Sequence, residues 1–184
     1  APGYIVMMVN FHGSTSWGQE FAASIVGAHG DKPFTDVERG TDLLIAEGNV
    51  DPERLAATGG SYGGYLVTWI AGHTARYRCL VNHAGVYDLL SQYASDVSQG
   101  RSKAYGGEPW EGLENIDRYS PCRFAAGFSS PMLILHGDND YRVPHTQGLE
   151  VYGVYKAKGL PARLVSYPDE NHWILSPRNS LHWY

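Results

Sequence analysis

The sequence predicts an α/β fold, a mostly parallel sheet with helices on both faces. Short apolar runs alternate along the chain with segments of helical spacing, the order that parallel strands and their crossover helices require. Those runs are continuously apolar, as strands covered on both sides are. The third observation is the stretch Leu55-Ala-Ala-Thr-Gly-Gly-Ser-Tyr-Gly-Gly-Tyr65, which reads as strand, glycine-rich turn and helix start.

Along the chain, Tyr4–Asn10 is expected as the first strand. Thr35–Gly48 places Asp36, Val37, Leu43, Leu44 and Ile45 at helical spacing and ends on a glycine, a natural stop. Leu55–Thr58 is a strand running into the turn, and Tyr65–Ala71, apolar nearly all round, is a buried helix. Cys79–His83 is a third strand, with Cys79 expected as a buried small hydrophobe. Pro131–His136 and Ala162–Tyr167 are the fourth and fifth strands, joined by a helix over Gly148–Lys158. Tyr87–Phe128 is less regular and holds Tyr87, Tyr93, Tyr105, Trp110 and Tyr119 among glycines and polar residues. Such a segment either roofs a substrate pocket or forms surface helices with aromatic anchors.

With 184 residues, 43% apolar and 18% charged, the chain suits a single globular domain over residues 1–184. A net charge of −5 without a basic stripe argues against nucleic acid as a partner. The longest apolar run, Ile5–Val9, is too short to span a bilayer. Two cysteines, Cys79 and Cys122, make no disulfide framework, and without C-x-x-C or H-E-x-x-H no metal site is indicated.

Gly59, Ser61 and Gly63 fit G-x-S-x-G, the turn that lifts a nucleophilic serine between a strand and a helix. A side chain at 59 or 63 is expected to collide with the neighbouring element. The Tyr62 N–H, at a helix N-terminus, is placed to stabilise an oxyanion. A serine nucleophile needs a base, and the base needs a group to hold its tautomer. In a parallel sheet these belong at the carboxyl ends of strands. Past the fourth strand comes His136-Gly-Asp-Asn-Asp-Tyr-Arg-Val-Pro144, and past the fifth Pro168-Asp-Glu-Asn-His-Trp173. His172 is the candidate base, with His83 and His145 as rivals. The acid is Asp138 or Asp140, with Asp140 favoured because it sits further out; Asp88 is a weaker option whose bland role is a helix cap.

Four segments then become recognisable together: Asn10-Phe-His-Gly-Ser-Thr-Ser-Trp-Gly-Gln-Glu-Phe21, Gly59-Gly-Ser-Tyr-Gly-Gly-Tyr65, His136–Pro144 and Asp169-Glu-Asn-His-Trp173. In this order, over almost the whole chain, they resemble the catalytic domain of the prolyl oligopeptidase family, in its dipeptidyl-peptidase and acylaminoacyl-peptidase branch. The resemblance implies an α/β-hydrolase fold with Ser61 as nucleophile, Asp140 as acid and His172 as base. It also implies a serine peptidase that cleaves short peptides through an acyl-enzyme and needs no cofactor. Arg142, two residues after the acid, falls where the family binds a substrate backbone carbonyl, and Tyr62, Val86, Tyr87 and Val143 fall where it builds an apolar specificity pocket. The alternatives are a carboxylesterase with the same triad, or a weakly active or non-catalytic fragment.

Two departures from the family pattern bear on this. No segment can form the family's β-propeller, and the family begins its hydrolase domain with several more strands and a loop giving a second oxyanion donor. His12-Gly13 resembles such a loop only superficially. The chain is therefore expected to be part of a larger hydrolase, lacking the first strands and the end of the last helix. An open sheet edge after Tyr4–Asn10 would then favour a homo-oligomer or pairing with a missing segment.

Overall fold

A computed structural model describes residues 3–184. Its sheet has four parallel strands, β1 (Ala56–Gly60), β2 (Cys79–His83), β3 (Met132–Gly137) and β4 (Ala162–Tyr167), in the spatial order β1-β2-β3-β4. The register aligns Ala57, Leu80, Met132 and Ala162 across the sheet, with Gly59, Asn82, Ile134 and Leu164 two residues on. These positions share one face because side chains alternate along a strand.

That face is covered by α3 (Tyr62–His73) and α6 (Thr146–Ala157). Gly64 through Ala71 of α3 are all buried, as the all-round apolar sequence predicts. Helix α2 (Asp31–Ala46) packs outside α3, and Gly30 at its start lies against the Trp69 ring. Pro33 is tolerated in its first turn, where a backbone N–H has no helical partner to lose. The short helices α1 (Gln19–Ala23), α4 (Arg101–Tyr105) and α5 (Glu114–Tyr119) sit in connecting segments, and α7 (Pro177–Trp183) follows β4.

The opposite face carries much less. Its visible cover is α7, through His83 against Trp183 with ring centroids 5.5 Å apart and Tyr167 Oη 3.1 Å from His182 Nδ1. Cys79, on this face, is exposed, contrary to its expected burial. An apolar strand does not by itself say which of its faces a helix will cover.

Tyr4–Asn10 is not a strand of the sheet. Among the described residues its backbone pairs with no other segment, and Tyr4, Ile5, Val6 and Met8 are exposed. Met7 and Val9 instead lie beside Gly40 of α2. An apolar β-branched run favours an extended chain, but strand status needs a neighbour at ladder distance, and the edge strands of the sheet are β1 and β4.

Candidate active site

At the end of β1 the chain reverses through Ser61, held at φ 58° and ψ −116°, and enters α3 at Tyr62. A positive φ is costly for a residue with a Cβ and persists only where its surroundings enforce it. Here the Ser61 N–H donates to the His83 carbonyl at 2.9 Å and its carbonyl accepts from Tyr65 N–H at 3.0 Å. A Cβ on Gly59 would overlap the Gly63 backbone, whose Cα lies 2.8 Å from that position. Gly63 itself has open space, so steric necessity there is not observed. The second tight approach is at Gly64, where a Cβ would come 2.6 Å from Gly85 Cα. Asn82 locks that crossing, donating to Thr68 Oγ1 at 2.8 Å and accepting from Gly85 N–H at 2.9 Å.

Three strand ends converge on the serine. His172, in the loop after β4, places Nε2 3.0 Å from Ser61 Oγ and Nδ1 2.7 Å from Asp140 Oδ2, with Asp140 in the loop after β3. Asp140 is buried, and its Oδ1 accepts the Arg142 and Val143 N–H groups at 2.9 and 2.8 Å. Burial alone would raise its pKa. Hydrogen bonds from His136, His172 and Val143 and the charge of His172 outweigh this and hold the carboxyl well below the usual carboxylate range. The fully buried His136 donates Nε2–H to the Val143 carbonyl at 2.8 Å, with Asp140 Oδ2 3.5 Å away. Asp138 turns elsewhere, bonded to Ser166 Oγ and 3.2 Å from His145 Nε2. His83 presents its ring to Trp183, and Asp88 caps a turn by accepting Leu90 N–H at 2.9 Å.

The loop carrying His172 crosses directly over β3: a Cβ on Gly137 would lie 2.5 Å from the Glu170 carbonyl oxygen. Glu170 fastens the far side of the loop by accepting from Leu175 N–H, Ser176 N–H and Asn179 Nδ2 at 2.9, 3.0 and 2.7 Å. Trp173 stands edge-on to the His172 ring and remains exposed.

A cavity of about 170 Å³ opens beside Ser61. Tyr62, Val86 and Val143 line it as the sequence suggests, and Arg142 is at its rim, paired through Nε and Nη2 with Asp96 at 2.7 and 3.3 Å. Tyr87 is not among the lining residues. Its ring turns toward Phe128, and its N–H donates to Gln147 Oε1 at 2.8 Å. Gln147, buried on α6, also accepts Asp88 N–H at 2.9 Å, so it pins the loop that presents Val86. A larger hollow of about 310 Å³ lies at the amino ends of the strands, near Leu55 and Arg78. Its cations are already matched, Arg78 by Glu53 and Arg76 by Glu38 and Asp42.

A model of the prolyl oligopeptidase family matches residues 1–184. The chain belongs to the prolyl oligopeptidase family. It is 37% identical over 186 residues to dipeptidyl-peptidase 5 of Schizosaccharomyces pombe, which covers 99% of this chain and 27% of that protein. It is 35% identical to dipeptidyl-peptidase 5 of Porphyromonas endodontalis, covering 98% of this chain and 27% of the relative. The acylaminoacyl peptidase of Pyrococcus horikoshii superposes with a TM-score of 0.90 at 29% identity, over 96% of this chain and 30% of that structure. The chain thus spans about 27% of the length of these curated relatives, and its parallel sheet and flanking helices are the α/β-hydrolase fold of this prolyl oligopeptidase family member.

His29, Leu89, Gln92, Arg101, Ala104 and Tyr105 also line the cavity and were not legible in the sequence. Five of them come from the irregular Tyr87–Phe128 segment, and the aromatic Tyr105 was its one usable signal. His29 is pushed down to about 4, by burial first and by the Arg101 charge second.

Proposed function

We propose that this chain carries the catalytic centre of a serine peptidase acting on short peptides, within a single α/β-hydrolase unit. One observation carries the reading: the unbroken line of hydrogen bonds from Ser61 Oγ through the His172 ring to Asp140. His172 Nε2 accepts the Ser61 proton as Oγ attacks the peptide carbonyl. Asp140 holds the Nδ1–H tautomer and stabilises the imidazolium that forms. The tetrahedral oxyanion is met by the Tyr62 N–H, which donates to no acceptor among the described residues. The intermediate collapses, His172 protonates the departing amine, and water repeats the sequence to release the acid.

The dipeptidyl-peptidase and acylaminoacyl-peptidase names of the relatives support short peptides or blocked aminoacyl groups as substrates. A second structure at 30% identity and TM-score 0.91 is an acylaminoacyl peptidase in complex with Z-Gly-Gly-Phe-chloromethyl ketone, a peptidyl ligand. Labelling with a fluorophosphonate probe tests the reading. Wild type is expected to be labelled at Ser61, and Ser61→Ala not at all. An unlabelled, folded wild type rejects it. Hydrolysis of a dipeptidyl amide alongside a p-nitrophenyl ester separates peptidase from esterase, since an esterase cleaves only the second.

A further inference from the structure

We propose that Arg101 reads the side chain of the residue whose carbonyl Ser61 attacks, and that the pocket takes peptides carrying Asp or Glu at that position. This rests on the serine-peptidase reading and adds the substrate class to it.

The cavity beside Ser61 has apolar walls in Val86, Leu89, Ala104 and Val143, two guanidinium groups, and no carboxylate. The two guanidiniums differ. Arg142 is matched by Asp96 through a two-point ion pair. Arg101 has no ion pair among the described residues: Nη2 donates to Ser95 Oγ at 3.1 Å and the Arg142 carbonyl at 3.4 Å, both neutral. Its Nε is buried and meets no acceptor among the described residues. With the Gln92 amide turned so that donors face acceptors, Gln92 Oε1 accepts from Arg101 Nη2 at 2.8 Å and Nη1 at 3.3 Å. That contact aims the guanidinium without neutralising it. In the same orientation Gln92 Nε2 donates to Tyr105 Oη at 2.9 Å, so the Tyr105 proton remains for another acceptor.

An uncompensated cation between apolar walls interacts strongly with whatever enters, because the local dielectric is low. Its planar donors match a carboxylate best. A neutral side chain would leave the charge unpaired, and a lysine would be repelled. His29, facing Tyr65 and Tyr105 at the same cavity, stays neutral and does not compete for the anion. The volume of about 170 Å³ suits one side chain rather than a whole ligand.

The test is calorimetric titration of the Ser61→Ala chain with acetyl-Ala-Xaa-Ala amides, Xaa being Glu, Gln, Leu or Lys. Glu is expected to bind at least about tenfold tighter than Gln, with Lys weakest. In Ser61→Ala/Arg101→Met the Glu preference should shrink to within about twofold of Gln, and Arg101→Lys should retain part of it. Should the Met variant fail to fold, Arg101→Gln, which keeps donors without charge, carries the same comparison. Equal binding of Glu and Gln, tighter binding of Leu, or a Glu preference indifferent to Arg101 would overturn the proposal. Fluorophosphonate labelling of wild type reports separately on the peptidase reading. An unlabelled chain that still selects Glu through Arg101 rejects that reading and keeps the pocket, and a labelled chain with no Glu preference does the reverse.

Discussion

Asp140 Oδ2 faces His172 Nδ1 at 2.7 Å, while its other oxygen is held by the Arg142 and Val143 N–H groups. One carboxylate is thus fixed by its own loop and orients a ring on another. Asp138, two residues away, is turned to Ser166 and His145. The two acids, which the residues alone left as alternatives and the family resemblance resolved to Asp140, thus differ in their partners.

Substituting each tests the difference. Asp140→Asn keeps the shape but favours the wrong imidazole tautomer, and turnover of a peptide amide is expected to fall about 10³–10⁴-fold. Asp138→Asn removes the charge beside Ser166 and His145 and should stay within about threefold of wild type, consistent with substitutions remote from the reacting groups. Steady-state kinetics on one amide substrate decides; equal losses would reject the assignment of the acid.

The turn around Ser61 makes a prediction about stability. Gly59→Ala drives a methyl into the Gly63 backbone, which cannot move without shifting α3. A loss of about 1–3 kcal/mol is expected. Gly63→Ala meets nothing within 4 Å, and replacing a helical glycine should be neutral or stabilising by up to about 1 kcal/mol. Urea unfolding of both variants measures the contrast.

The parts legible in the sequence were those set by local pattern. Cys79–His83 and Ala162–Tyr167 are strands with the bounds read from their apolar runs. Ser61, Asp140 and His172 could be brought near one another because each lies just past a strand of one parallel sheet. What depends on distant partners was not legible. Tyr4–Asn10 has the composition of a strand but, among the described residues, no backbone hydrogen-bond partner. Cys79 is exposed because burial on a sheet face is decided by a helix elsewhere in the chain. Arg101 reaches the cavity from a five-residue helix with no periodic signal, and Gln147 is a buried amide whose two acceptor contacts lie about 60 residues away.

His29 sets a pH dependence. Its pKa in the folded chain is about 4, against 6.5 for a free imidazole, because burial and then Arg101 disfavour the charged ring. Between those values the unfolded chain binds more protons than the folded one, so stability rises with pH across that window and is lost as pH falls from 6.5 towards 4. The slope from this one group is at most about 1.4 kcal/mol per pH unit. Urea midpoints at pH 7 and pH 5 should differ less in His29→Leu than in wild type. An unchanged difference would show that the imidazole protonates as readily folded as unfolded.

Arg142 and Asp96 form a half-exposed pair at 2.7 Å, so their attraction is screened and should contribute no more than about 1 kcal/mol to stability. Its value lies in direction. Asp96 occupies Nε and one edge of Nη2, which leaves Nη1 as the open donor toward the cavity that Arg142 lines. If that donor binds a substrate carbonyl, the loss of Arg142 removes a charge-assisted hydrogen bond of roughly 1.5–3 kcal/mol. Arg142→Ala should then raise KM about ten- to hundredfold with a smaller change in kcat. Asp96→Asn should raise KM only a few-fold, because the guanidinium remains but is no longer aimed. The double variant should cost little more than Arg142→Ala alone, since Asp96 acts through the residue already removed. Additive losses in KM would mean that the two side chains meet the substrate independently.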